Sequence, residues 1–238
     1  MNQIHSPDPE KIRSMFSKVA AKYDRANSVL SVGIHHLWRN KVVSLSNVKS
    51  GMNILDCATG TGDLAIAFSK ATGETGSVIG TDFCVEMMET APAKAKSQNL
   101  NIKFEFADVT KLQYPDNQFD ITSISFGIRN VKDPLLALQE MARVTKPGGQ
   151  VIILEFGQMD IPIISSIYNY YSENILPKIG GLVSGQKEAY EYLQKSSAAF
   201  PSKENFINLM KDSGQFSKMS FESVSFGIAY IYMGTVKN

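Results

Sequence analysis

The sequence predicts an α/β fold of the doubly wound, Rossmann-like type. Its sheet is expected to be mostly parallel and seven-stranded, with an antiparallel strand pair at the C-terminus. Three observations carry this expectation. From Met52 onward, short β-rich runs alternate with segments of helical spacing, the rhythm of a parallel sheet with helices on both faces. The first such run leads straight into Asp56-Cys57-Ala58-Thr59-Gly60-Thr61-Gly62-Asp63. Small residues there let backbone approach a ligand closely at the carboxyl edge of the sheet. The chain then ends on two successive strand-like runs with no helix between them, which fold back on each other.

The elements follow in order. Asp8 caps a first helix, Pro9 suits its first position and Glu10 its first turn. Ile12, Met15, Phe16, Val19, Ala20 and Tyr23 then recur at helical spacing, while Lys11, Lys18 and Lys22 fall elsewhere. A second helix carries Leu37, Trp38, Val42, Val43 and Leu45 and ends before Ser50-Gly51. Strands are expected at Asn53–Cys57, Ser77–Asp82, Ile102–Ala107, Phe119–Phe126 and Gln150–Phe156. Helices are expected near Asp63–Ala71, Val85–Gln98 and Pro134–Val144, the last stopped by Lys146-Pro147-Gly148-Gly149. Beyond the fifth strand, Ile164, Ile167, Tyr168, Tyr171 and Ile175 form one helical stripe. Pro162, Glu173 and Pro177 interrupt it and exclude a membrane-spanning helix. A helix at Lys203–Ser213 precedes strands at Phe216–Phe226 and Ile228–Thr235, joined at Phe226-Gly227. Five alternating units closed by such a pair form the layout of Rossmann-like methyltransferases that use S-adenosylmethionine (SAM). A dinucleotide fold ends on a sixth parallel strand.

Composition narrows the function classes. The 238 residues suit one large domain, with 43% hydrophobic and 20% charged residues. Lys+Arg (24) nearly balances Asp+Glu (23), and a net charge of +1 gives no basic footprint for nucleic acid. Cys57 and Cys84 form no CxxC or Cys/His cluster, so no metal site or disulfide framework is expected and the usage fits a reducing cytoplasm. No apolar leader and no apolar run of about 20 residues is present.

The glycines alone do not separate SAM from a dinucleotide, because Gly60-x-Gly62-x-x-Ala65 with Asp82 fits both. Charge separates them: Asp63 at the helix start and Asp56 before the loop are expected to repel a pyrophosphate, whereas SAM carries a sulfonium and an ammonium. Asp82, ending the second strand, suits both ribose hydroxyls. Asp108, ending the third, suits the adenine amino group, with the Val109 N–H donating to the ring. Ser125, late in the fourth strand, lines the same crevice.

Two stretches go further. Tyr23-Asp24-Arg25-Ala26-Asn27-Ser28-Val29-Leu30-Ser31-Val32-Gly33-Ile34-His35-His36-Leu37-Trp38 resembles the N-terminal signature of the UbiE/MenG family of quinone C-methyltransferases, with Ala26 where Met is usual. Arg143–Phe156 resembles its second signature, with Phe156 where Ser is usual, and Ile124–Val131 also resembles the family. The resemblance runs from about Phe16 to the C-terminus. It implies C-methylation of a polyprenylated quinol in menaquinone or ubiquinone biosynthesis, with demethylmenaquinol as the first candidate. It also implies SAM contacts at Thr61, Asp82, Asp108, Val109 and Ser125, and Asp56, Gly60 and Gly62 complete the cofactor set. The domain reading is 1–48 as a helical lid and substrate segment and 49–238 as the SAM-binding domain.

Methylating a ring carbon requires an electron-rich carbon, which an ionised ortho hydroxyl supplies. Arg129 is the candidate for stabilising that oxyanion and Asn130 for orienting it, with an ion pair to Asp133 as the structural alternative for Arg129. Tyr23, Asp24, His35 and His36 are candidates for proton transfer. Expected partners are the quinol and, transiently, a membrane surface, from a cytoplasmic or peripheral position at its inner face; a homo-oligomer stays open. The 161–175 stripe is read either as a core helix or as one wall of a prenyl groove. Other classes stay open as well: a SAM-binding assembly subunit without catalysis, a methyltransferase for another small aromatic or lipid substrate, and a NAD-dependent reductase. The last lacks a Tyr-x-x-x-Lys pair after the fourth or fifth strand.

Overall fold

The computed structural model describes residues 7–31, 33–159, 171, 178, 180, 181 and 185–238. The chain enters on α1 (Pro9–Val19), a 3-10 turn, α2 (Tyr23–Leu30) and α3 (Ile34–Leu45). It then alternates β1 (Asn53–Cys57), α4 (Asp63–Thr72), β2 (Ser77–Asp82), α5 (Val85–Met88), α6 (Ala91–Lys96), β3 (Lys103–Phe106), β4 (Phe119–Ser125), α7 (Pro134–Val144) and β5 (Thr145–Phe156). The last described elements are α8 (Lys187–Ala199), α9 (Glu204–Asp212), β6 (Phe216–Val224) and β7 (Ala229–Val236).

The seven strands form one sheet in the order β3-β2-β1-β4-β5-β7-β6. β1 to β5 pair in parallel, and β7 runs antiparallel between β5 and β6. Alternate residues feed opposite faces, as a period of two requires. Ile54 packs with Trp38, Val42, Leu64 and Phe68 on the α3/α4 side. Leu55 and Cys57 pack with Leu138, Met141, Phe206 and Met210 on the α7/α9 side. Cys57 is fully buried, and burial pushes its thiol far above the usual range; it is inert.

Three expected elements differ in detail. The segment Val85–Gln98 is two short helices, α5 and α6, because Pro92 cannot donate to the preceding turn and instead sits in the first turn of α6. β5 begins at Thr145, directly after α7, and carries Lys146-Pro147-Gly148-Gly149 within it. A register irregularity opposite Phe119/Ile121 and a φ of +74° at Gly148 absorb the proline. The long N-terminal helix is broken at Ala20–Lys22, although Asp8 caps α1 by accepting from the Glu10 N–H at 3.0 Å. The 161–175 stripe lies outside the described residues apart from Tyr171, whose hydroxyl donates to the Leu30 carbonyl at 2.9 Å.

Candidate functional site

A cavity of about 220 Å³ opens at the carboxyl edge of the sheet and is lined by Gly60, Asp82, Asp108, Val109, Ser125 and Asn130, with Tyr23 from α2. The strands deliver these side chains to one edge because β1, β2, β3 and β4 run parallel. Asp82 Oδ2 accepts from the Gly60 N–H and Oδ1 from the Cys84 N–H, both at 2.8 Å. Each oxygen keeps a further lone pair for a ligand hydroxyl. Burial pushes the Asp82 carboxyl up to about 6, against the pull of these N–H groups. Asp108 Oδ1 accepts from the Thr110 N–H at 2.8 Å and hydroxyl at 2.7 Å. Ser125 Oγ is buried in the cavity wall with no hydrogen-bond partner among the described residues.

That orphaned hydroxyl tests the fit to SAM. A buried polar atom without a partner is costly, and a polar ligand relieves it. Two strand-end carboxylates beside it match the hydroxyl and amino donors of an adenosyl group and the positive charge of a sulfonium. The residues therefore fit SAM. Ser125→Ala is expected to leave the unliganded melting temperature unchanged or slightly raised while weakening SAM about three- to tenfold. Calorimetry and thermal melts check both; a lower melting temperature with intact affinity overturns the assignment.

Asp56, Thr61 and Gly62 do not line this cavity; they shape the loop behind it. Asp56 is buried, accepts from the Thr59 hydroxyl at 2.6 Å and the Ser123 hydroxyl at 2.7 Å, and is pushed up to about 6 by burial. Thr61 donates its hydroxyl to Asp24 at 2.5 Å. Gly62 has φ +81°, and a Cβ there would meet Ala91 and Phe104 at 3.0–3.1 Å. Gly127, within the Ile124–Val131 stretch, belongs with these. A Cβ on it would stand 2.6 Å from the Ala58 side chain, so only glycine lets the β4 end close on the β1 loop.

A larger cavity of about 360 Å³ adjoins the first and is mostly apolar, with Met15, Leu30, Trp38, Phe156 and Leu193 in its wall. Phe16, Tyr23 and Phe126 line both cavities. The apolar stripe of α1 thus faces these cavities: Ile12 and Phe16 on the smaller, Met15, Phe16 and Val19 on the larger. Only Val19 of α1 is buried. Phe156 stacks on Phe126 with centroids 4.4 Å apart.

Arg129 lines the larger cavity and Asn130 the smaller, so consecutive residues sit on either side of the partition. The expected alternative partner of Arg129, Asp133, is instead the α7 cap and accepts from the Leu136 N–H at 3.0 Å. Arg129 pairs with Glu155 at 2.6 Å and donates to the Phe126 carbonyl at 2.7 Å. Its Nε–H is buried and has no acceptor among the described residues. Asn130 donates to the Phe126 carbonyl at 3.3 Å and accepts from the Tyr192 hydroxyl at 3.1 Å.

Asp63 does not present the free charge expected of it. Lys94 lies 2.7 Å away and Arg39 3.4 Å away, and these cations hold its carboxyl below the usual range although burial opposes them. Asp56 is likewise buried behind the loop and hydrogen-bonded to Thr59 and Ser123, so neither acid presents a free carboxylate to the cavity and the expected repulsion of a pyrophosphate is not carried by them. Lys94 also reaches Asp24 at 2.6 Å, so one ion network ties α2 to the β1–α4 loop and α6. Ligating atoms of His35, His36 and Asp63 gather within 4.8 Å. Arg39 already supplies the cation there.

A profile of the ubiE/COQ5 methyltransferase family matches residues 5–236. The chain is 67% identical, over 98% of its length and 99% of the relative's, to the ubiquinone/menaquinone biosynthesis C-methyltransferase UbiE of Bdellovibrio bacteriovorus. It is 40% identical to the demethylmenaquinone methyltransferase of Staphylococcus aureus, covering 94% of this chain and 92% of that one. Among solved structures it is similar to a SAM-dependent methyltransferase from Aquifex aeolicus, with TM-score 0.60, 20% identity, and 96% and 98% of the two chains covered. A SAM-dependent methyltransferase from Thermotoga maritima gives TM-score 0.65 at 20% identity, with 93% and 98% covered. At these identities the structural likeness shows the fold.

Proposed function

The chain belongs to the ubiE/COQ5 methyltransferase family, and from that membership we propose that it methylates a ring carbon of a polyprenylated quinol, demethylmenaquinol before a ubiquinone precursor. It is a methyltransferase with SAM as its methyl donor. The observation that carries the reading is the pair of adjoining cavities, one with strand-end acids and one apolar, that share Phe16, Tyr23 and Phe126. A polar cofactor and a greasy aromatic acceptor each find a matched site, and the shared wall is where they meet.

SAM, when bound, supplies an electrophilic methyl on a sulfonium. Asp82, Asp108, Val109, Ser125 and the Gly60 backbone would hold it. The chain's other groups serve the acceptor. Arg129, which lines the larger cavity and whose buried Nε–H has no acceptor among the described residues, stabilises the quinol oxyanion that makes the ortho carbon nucleophilic. Asn130, fixed by Tyr192 and the Phe126 carbonyl, orients the reacting oxygen from the cofactor side. Tyr23, on the shared wall, closes the junction to water, and holding both reactants in line is worth about 7–11 kcal/mol in well-oriented systems. Residues 1–48 act as the lid and 49–238 as the SAM-binding domain.

The test is methyl transfer from labelled SAM to each demethylated quinol in turn. Label in the naphthoquinol or benzoquinol product is expected. A protein that binds SAM yet labels no quinol is a non-catalytic subunit or acts on another acceptor.

The substrate tail calls for transient contact with a membrane surface. Among the described residues no helix is long and apolar enough to cross a membrane. Leu37 on α3 is 66% exposed and Phe226 in the β6–β7 turn 70%. Trp38 donates its indole N–H to the Ser225 hydroxyl at 2.8 Å, which brings these two sites together beside the larger cavity. Leu37→Glu with Phe226→Glu is expected to raise KM several-fold for a quinol embedded in vesicles and to leave a tailless quinol in solution unchanged. Equal effects on both overturn the docking reading.

A further inference from the structure

We propose that His35 is a fixed hydrogen-bond donor of the larger cavity: Arg39 holds its proton on Nε2, and that N–H binds the quinol oxygen lying across the ring from the one that ionises. The inference rests on the quinol reading above.

The argument begins with what each group can offer. Arg39 Nη1 lies within hydrogen-bond distance of His35 Nδ1. A guanidinium has only donors. Nδ1 must therefore carry a bare lone pair, and the single proton of a neutral ring sits on Nε2. Arg39 is itself held by Asp63 at 3.4 Å and by the His35 carbonyl at 3.5 Å, so the ring orientation is fixed from behind. The charged and titratable groups around the ring agree. Burial, Arg39 and the stacked His36 ring at 3.9 Å disfavour the imidazolium, and these outweigh Asp63 and Asp24, so His35 falls to about 4.

The Nε2–H is under-used. Among the described residues its one hydrogen-bond partner is the Ser28 hydroxyl at 3.5 Å, the far end of the hydrogen-bond range. Yet His35 is buried and lines a cavity whose walls are mainly apolar. A donor in such a place is costly without an acceptor. Among the polar groups of the wall, which also include Asn27, Ser31 and Tyr192, Arg129 after β4 and His35 on α3 come from different elements. Demethylmenaquinol has two oxygens at opposite ends of one ring, and no other part of it offers an oxygen acceptor. His35 fixes which ring edge meets the methyl donor, and a ring nitrogen that already carries its proton does not serve as the base.

Two measurements test this. In the wild-type protein, long-range ¹H–¹⁵N spectra of labelled histidine are expected to show His35 neutral and Nε2-protonated between about pH 5 and 8. A Nδ1-protonated ring or an imidazolium overturns the proposal without reference to any substrate. The second measurement compares His35→Leu and His35→Gln on the demethylated quinol and on the matching monohydroxy analogue that lacks the far oxygen. His35→Leu is expected to lose about tenfold in kcat/KM on the quinol and to stay within about twofold on the analogue, with Gln recovering most of the loss because its amide still donates. SAM affinity stays near wild type, while His35→Leu melts lower because buried Arg39 loses an acceptor, so the comparison between the two substrates carries the test. Equal losses on both substrates, or none on either, overturn the assignment to His35 alone. A wild type that methylates neither substrate overturns the quinol reading and this proposal with it.

Discussion

Asp82→Ala is expected to lower SAM affinity by at least tenfold. The carboxylate offers acceptors to two ribose hydroxyls, each charge-assisted bond being worth about 1.5–3 kcal/mol. It also positions the cradle, since the Gly60 and Cys84 N–H groups both end on it. The pH dependence identifies the charge as the cause. Burial raises the unliganded carboxyl from an ordinary 3.8 to about 6. The folded state then binds this proton more tightly than the unfolded chain does. The group's contribution to unliganded stability therefore falls as pH rises from 3.8 to about 6. Ligand hydroxyls donate to the ionised form, so SAM affinity moves the opposite way and rises through about pH 6. Calorimetry from acid to neutral pH should show that rise in wild type and a flat profile in Asp82→Ala. Unchanged affinity in a folded Asp82→Ala protein removes Asp82 from the site.

Why the sheet could be read from sequence, and part of the site could not, is visible in particular residues. Ile54 and Leu55 face opposite cores because a strand has period two, and that period is local. The placement of Asp82, Asp108 and Ser125 on the wall of one cavity was legible for the same reason: Asp82 and Ser125 end β2 and β4, Asp108 follows β3 by two residues, and parallel strands bring those ends to one edge. The α1 stripe was legible as a helix face. Its destination was not, because spacing fixes which residues share a face and says nothing about whether that face meets core or cavity. Ion pairing was the least legible. Asp133 is near Arg129 in sequence, but the partner is Glu155 on the neighbouring strand, β5. Asp63 likewise meets Lys94 from α6 and Arg39 from α3. Such pairs are set by the packing of elements distant in sequence, which no local pattern encodes.

Arg129 is where that distinction decides an experiment. Removing it alone conflates two losses. Glu155 is 1% exposed, and a buried carboxylate stripped of its cation destabilises a fold by about 3–5 kcal/mol. Arg129→Met is therefore expected to melt markedly lower and to lose activity for that reason as well as any chemical one. Pairing it with Glu155→Gln removes the orphaned charge, and the double variant should recover most of the lost stability. In that background SAM affinity should stay within about threefold of wild type, because Arg129 lines the larger cavity and not the smaller one. The rate should not recover. Losing a donor aimed at a developing oxyanion costs about 10²–10³-fold in kcat. The deficit should shrink as pH rises, because solvent then ionises the quinol without help. Stopped single-turnover rates across pH, with both variants saturated in SAM, separate the outcomes. A double variant that regains both stability and kcat makes Arg129 a structural partner of Glu155. A deficit that stays constant with pH assigns it to ring positioning, and the oxyanion must then be held elsewhere.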